Sequence, residues 1–158
     1  MEKTAFTCQA CGCSVEKDDA QFVDEETFSF LTKPPIALGS YCVQCFDGQV
    51  RPVIQDYESK MERAKDVNIF FSTQGKETRF VRRTERPVKV EDCLDRDEAV
   101  LRLAFLAVEA EKNSLVDVEI SSVKVRNGSY QTSRWNGRAV PAQIAEESLN
   151  RKFPGSPN

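Results

Sequence analysis

The chain has 158 residues, 40% of them apolar and 30% charged, with a formal net charge of −3. That length fits one large or two small domains, and the composition is that of a globular protein rather than a disordered or fibrous one. There is no run of 18 apolar residues, and Met1-Glu2-Lys3-Thr4-Ala5-Phe6 has no apolar core of the signal-peptide kind. A membrane span is therefore excluded as an expectation, and a cytosolic location is the default.

Charge and oil are unevenly spread. Residues 1–67 carry seven Lys and Arg against twelve Asp and Glu, a net −5, whereas residues 68–158 carry fifteen against thirteen, a net +2. The first 35 residues offer only scattered aromatics, while the stretch from Ala99 to Ile120 is rich in Leu, Val, Ile and Ala. A segment with so thin a core needs a staple, either disulfide or metal. In a reducing compartment six cysteines, four of them in C-x-x-C pairs, with no histidine in the chain, point to metal.

The staple comes first in the chain. Cys8-Gln9-Ala10-Cys11-Gly12 reads as a zinc knuckle, in which a tight turn aims two sulfurs and nearby backbone N–H groups at one point. Glycine supplies the positive φ that such a turn demands. The second pair, Cys42-Val43-Gln44-Cys45, completes a four-sulfur set of the kind zinc prefers, so Cys8, Cys11, Cys42 and Cys45 are the expected ligands of one structural zinc ion. Four thiolates leave no open coordination position, which favours structure over hydrolysis. Cys13 competes with Cys8 and Cys11 for two places; knuckle geometry favours the latter, leaving Cys13 as a packed or free thiol or an alternative ligand. Cys93 stands apart and reads as core.

Between the pairs, Ala20–Val23 and Thr27–Leu31 read as a hairpin turning at Asp24-Glu25-Glu26. Lys33-Pro34-Pro35 reads as an exposed loop. After Cys45 the apolar residues Val53, Ile54, Tyr57, Met61 and Ala64 recur at helical spacing, and Pro52 suggests a regular helix over 52–66. Knuckle, hairpin, then a cysteine pair leading into a helix resembles the treble-clef zinc finger over residues 6–66. The 30 residues between Cys11 and Cys42 are a longer insert than most such fingers carry.

Past Asp66 the composition changes, which divides the chain into a zinc module over 1–66 and a second domain over 67–158. Val67–Thr73 reads as a strand and Gln74-Gly75-Lys76 as a turn. A second extended run follows over Thr78–Arg83, with Pro87–Val90 as a continuation. Asp95 and Glu98 form a capping box for a helix running to about Lys112, whose apolar stripe is wider than one packed face requires. Either that helix packs under both sheet and finger, or one face meets another subunit. Leu115–Ile120 alternates with Val116, Val118 and Ile120 inward, and continues to the hairpin signal Asn127-Gly128. Ser129–Ala142 returns as its partner strand with a bulge at Asn136-Gly137. A short polar helix over 145–152 ends in Pro154–Asn158, which reads as a frayed tail.

The fold class expected is thus α+β: a hairpin-plus-helix zinc module followed by a β-α-β-β two-layer domain. The second domain resembles dodecin-like subunits, and the YbjQ-like family of small bacterial proteins in particular. The resemblance is carried by the Ile69–Thr73 strand with Gly75-Lys76-Glu77, the junction Asn113-Ser114-Leu115-Val116-Asp117-Val118, and Asn136-Gly137-Arg138-Ala139-Val140. It implies ring-forming homo-oligomers. The heavy-metal binding associated with that family has no cysteine or histidine cluster to support it over 67–144.

Three further constellations have competing readings. Arg79, Arg82, Arg83 and Arg86 beside Phe80 suit nucleic acid, with phosphate contacts and stacking, or a charged sheet edge; Glu77, Glu85 and Glu91 dilute the field and favour the edge. Asp92, Asp95, Asp97 and Glu98 sit where acids complement a helix dipole, so capping is preferred to catalysis. Tyr130 and Trp135 serve equally as interface anchors or as core. No nucleophile–base pair or phosphate-binding loop is present, and histidine, the commonest general base, is absent. The expected function is therefore a non-enzymatic zinc protein whose second domain mediates self-assembly or partner binding. The alternatives are nucleic-acid binding through Arg79–Arg86 and a thiol switch using Cys13 or Cys93.

Overall fold

The computed structural model describes residues 5–31 and 33–152, and the chain divides into two units, Met1–Ser59 and Lys60–Asn158. The tail expected to fray, Pro154–Asn158, lies outside the described residues. In the first unit, β1 (Ala5–Thr7) pairs antiparallel with β2 (Ser14–Glu16), and β3 (Gln21–Val23) pairs antiparallel with β4 (Gly39–Tyr41). Helical backbone follows at once: α1 (Val43–Cys45), a π-helical turn over Phe46–Val50, and α2 (Arg51–Ala64), within which the division between the units falls.

One local expectation is corrected here. Thr27–Leu31 is not the partner of β3. The side chain of Asp24 accepts hydrogen bonds from the backbone N–H groups of Glu26 and Thr27, at 3.0 and 3.1 Å, and so takes donors that a strand ladder needs. The segment becomes turns, Phe28 is buried within them, and β3 finds β4 instead. The regular helix begins at Arg51, one residue before the expected Pro52, and a short helical turn from Val43 leads into it. A proline ring clashes with the carbonyl four residues back in a regular helix, and the wider turn just before Pro52 relieves that conflict. Lys33, Pro34 and Pro35 are exposed, as a loop should be.

The second unit is built on a four-stranded sheet in the order β5-β7-β8-β6, comprising β5 (Asn68–Phe71), β6 (Val88–Cys93), β7 (Ser114–Asn127) and β8 (Tyr130–Ala142). Strand β5 runs parallel to β7, and the other pairs are antiparallel. The helix α3 (Arg96–Glu109) covers the sheet with Ala99, Leu103, Ala104, Phe105, Ala107 and Val108 buried, and α4 (Glu146–Lys152) follows β8. The path β6-α3-β7-β8 is the expected β-α-β-β order, with β5 added at the far edge, so the architecture is α+β as read from the sequence.

Asp95 caps α3 as expected, its carboxylate accepting the Glu98 N–H at 2.7 Å; the Glu98 carboxylate in turn accepts from the Leu94 N–H. The bulge expected at Asn136-Gly137 lies elsewhere. Register breaks between Val116 and Glu119 and between Val90 and Cys93, where Asp117 and Asp92 adopt φ of 54° and 58°. Short acidic side chains tolerate that left-handed conformation. The first break puts Leu115, Val116 and Val118 all in the core and leaves Ile120 half-buried. Gly137 has another duty: a Cβ there would stand 2.8 Å from Leu103 Cδ1 and 3.0 Å from Ile120 Cδ1, so its bare backbone lets α3 approach the sheet.

Thr78–Arg83 is not a strand either. Thr78 and Val81 are buried in a turn-rich loop that Arg83 ties to β7. The Arg83 Nε donates to Asp117 Oδ2 at 2.7 Å and its Nη2 to Asp117 Oδ1 at 3.1 Å, while its Nη1 donates to the carbonyls of Thr78 and Val81. A planar fork satisfied on both sides fixes the loop more rigidly than a single ion pair would.

Candidate metal centre

The first cysteine pair owes its geometry to the turn between β1 and β2. The Cys8 N–H donates to the Cys13 carbonyl at 2.9 Å, the Gly12 N–H to the Cys8 carbonyl at 3.0 Å, and Gly12 takes a φ of +78°. This closes a loop whose inner side carries sulfurs. Strand β4 docks beside it: the Gln9 N–H donates to the Ser40 carbonyl at 2.9 Å, and the Ser40 hydroxyl donates to the Thr7 carbonyl at 2.7 Å. Cys42 immediately follows β4 and caps α1, its sulfur accepting the Cys45 N–H at 3.5 Å.

Sulfurs from distant parts of the chain thus meet. The Sγ atoms of Cys8, Cys11, Cys13 and Cys42 all lie within 4.8 Å of one another, with Cys11 and Cys42 at 3.9 Å. Four sulfurs bound at the usual zinc–sulfur distance of about 2.3 Å stand about 3.8 Å apart on the edges of a tetrahedron. The donor set and its spacing therefore fit a tetrahedral thiophilic cation. Cys45 follows three residues after Cys42, at the end of α1, and its sulfur stands outside that mutual group. The structure groups three of the expected ligands, Cys8, Cys11 and Cys42, with Cys13, which the sequence had left between ligand and bystander. Cys93 is elsewhere: it is buried in the second unit, at the end of β6, and burial followed by the charge of Glu98 pushes its thiol up. A buried, protonated thiol is a poor nucleophile, so its surroundings suit a core role.

Proton affinities within the cluster diverge. Backbone hydrogen bonds from Cys11 and then Cys42 hold the Cys8 thiol down to about 6, from an ordinary value of 9.0. The Cys13 backbone, followed by its side chain, lowers Cys11. Hydrogen bonding to the Cys11 side chain and then burial push Cys13 up to about 12, and hydrogen bonding to Cys42 followed by burial does the same to Cys45. Some sulfurs therefore act as thiolate acceptors and others keep protons that bridge to them. A cation at the centre would take over the work of those bridging protons.

The other sequence candidates resolve differently. Of the arginine run, Arg83 is committed to Asp117, while Arg79, Arg82 and Arg86 are exposed. Asp95 and Glu98 cap α3, and Glu98 also pairs with Arg102 at 3.1 Å. Among the described residues no helix is long and apolar enough to cross a membrane.

No family model, curated protein or solved structure matches the chain. What stands on geometry alone is a hairpin-plus-helix unit with a cysteine cluster able to hold a metal ion, followed by a mixed sheet carrying a helix.

Proposed function

We propose that this is a non-enzymatic protein whose first unit folds around one structural zinc ion held by Cys8, Cys11, Cys42 and Cys45. The convergence of sulfurs from the β1–β2 turn and the start of α1 carries the reading. Cys42 accepts the Cys45 N–H, and neighbouring backbone lowers the Cys8 and Cys11 thiols, the usual way a protein supports a metal thiolate. Cys45 takes the fourth place over Cys13 because it is half-buried against the first unit's core, whereas Cys13 is exposed. The ion would supply folding energy and, with four sulfurs around it, no site for substrate. Knuckle, paired strands and a helix-capping cysteine pair support the treble-clef-like description. Reduced thiolates suit a cytosolic compartment.

Metal analysis of protein purified without added metal tests this directly. One zinc per chain is the expected result; a folded, metal-free first unit would overturn it.

For the second unit we propose self-assembly, in keeping with the resemblance to dodecin-like and YbjQ-like subunits. An open groove of about 390 Å³ runs between β5 and α3, lined in part by half-buried Val67, Ile69, Phe71, Val100 and Leu101, with Arg96 stacked over Phe71 at 5.1 Å. That apolar lining supports a protein contact. Native mass spectrometry is the test: a multiple of the chain mass is expected, and a Leu101→Glu variant should shift it to the monomer. A strictly monomeric parent at micromolar concentration rejects the assembly reading while leaving the zinc reading intact.

A further inference from the structure

The β7–β8 hairpin outruns the sheet that anchors it. Strand β5 meets β7 only as far as Val118, and β6 meets β8 only from Trp135 onward. The register pairs from Val123↔Arg134 to Asn127↔Tyr130 therefore have no third strand, and they form a two-stranded arm. Five such pairs span roughly 17 Å. Residues 121–133 are all exposed, including Val123 (51%), Val125 (40%) and Tyr130 (74%). An isolated ribbon of this kind is marginal in water without something to lie against.

Its charge identifies what that is. The chain holds 25 Asp and Glu, yet none lies between Ile120 and Ala145, while Lys124, Arg126, Arg134 and Arg138 all do. Among the described residues none of these four cations pairs with a carboxylate. Antiparallel register puts Lys124 and Arg126 on one face with Ser133 and Gln131, and Arg134 on the other with Val123, Val125, Thr132 and Tyr130. A flat anionic surface would be met by cations on a single face. Cations on both faces of a narrow ribbon match a channel walled by phosphates on two sides.

The geometry points to duplex DNA as the occupant, with the arm of residues 123–134 seated in the major groove. That groove is about 12 Å wide and admits a two-stranded β-ribbon, whereas the major groove of A-form RNA is too deep and narrow for side chains to read. Lys124, Arg126 and Arg134 contact phosphates, and Tyr130 at the tip offers an aromatic face to base edges. An acidic chain with three such contacts binds weakly and without strong sequence preference. This assignment does not depend on the metal, and it moves the nucleic-acid surface away from the Arg79–Arg86 run.

The test is fluorescence anisotropy of a labelled 20-base-pair DNA duplex of mixed sequence, titrated with the full zinc-loaded chain. Three displaced phosphate counterions predict that raising salt from 50 to 200 mM weakens binding about 40-fold. A K124Q/R126Q/R134Q variant should lose binding at 50 mM salt, while K124R/R126K/R134K, which preserves the charge, keeps it. R79Q/R82Q/R86Q should bind as the parent does. Circular dichroism and zinc content of each variant separate lost binding from lost folding. Absence of binding by the parent at 50 mM salt overturns the assignment, as does retained binding by the neutralised arm or loss confined to the R79Q/R82Q/R86Q variant. Equal or tighter affinity for duplex RNA also overturns it. So does an oligomer that the neutralised arm dissociates, because the arm would then meet a second copy.

Discussion

The two units solve the problem of a small core by opposite means. In the first, Val15, Val23, Phe28, Tyr41 and Val50 share the interior with the thiol of Cys8, and the strands beside them are three residues long. In the second, α3 buries Leu103, Phe105 and Val108 on one side of strands of up to fourteen residues, and Val116 packs with Phe70, Val81, Ala142 and Ile144. Short strands close few hydrogen bonds and bury little area, so their enthalpy and hydrophobic gain fall short of the chain entropy they cost. A structural metal makes up such a deficit; a sheet with a helix on it has none to make up.

The largest effect should come from removing metal. Chelation of zinc at neutral pH is expected to withdraw roughly 10 kcal/mol of binding energy and unfold the first unit while α3 and its sheet persist. Amide hydrogen exchange resolved by residue would show it, with protection lost over 5–59 and kept over 88–142; uniform loss would mean the units are not separately held. Next comes Gly137→Val, which forces a side chain against Leu103 and Ile120 and should cost the second unit about 2 kcal/mol or more, with no change in zinc content. Denaturant melts read by helix signal, alongside metal analysis, would test both halves of that statement.

A sharper question is which sulfur fills the fourth place. Cys45→Ser should lower zinc affinity by about ten- to a hundredfold, because Cys13 already stands among the sulfurs and can substitute; Cys13→Ser should change it less than threefold, and the double variant should lose the site. Competition with a colorimetric chelator ranks them, and the reverse ranking of the single variants would hand the position to Cys13. Protons compete for the same sulfurs. A fourth ligand whose metal-free thiol sits at about 12 must shed a proton on loading, so affinity should rise with pH by at least about tenfold per unit through the neutral range. Below about 6, where Cys8 also protonates, the dependence should steepen. The smallest effect expected is that of Arg83→Ala. It frees the Thr78–Val81 loop from β7 and, after allowance for the partial exposure of the pair, should cost about 1 kcal/mol. Burial alone pushes the Asp117 carboxyl up, and the Arg83 hydrogen bonds outweigh it and hold the carboxyl below its usual range. This contribution is therefore complete above the ordinary carboxylate value near 3.8 and fades as pH falls below it.

Much of this molecule was legible in the residue order alone. Paired cysteines without a histidine announced a metal module, Asp95 with Glu98 announced the start of α3, and Asn127-Gly128 announced the hairpin, because each is a local rule with a short reach. What escaped was decided by contacts between residues far apart in sequence. β3 chose β4 over Thr27–Leu31 because Asp24 had already bound the donors of the nearer segment. Gly137 proved to be a seat for Leu103 instead of a bulge, which no window along β8 contains. The place of Cys13 was undecidable from spacing, since three cysteines within six residues leave the choice to whichever turn the backbone takes. Only when β4 carries Cys42 up to that turn does its sulfur share one volume with those of Cys8, Cys11 and Cys13, and a tetrahedron, unlike a motif, is a property of that volume.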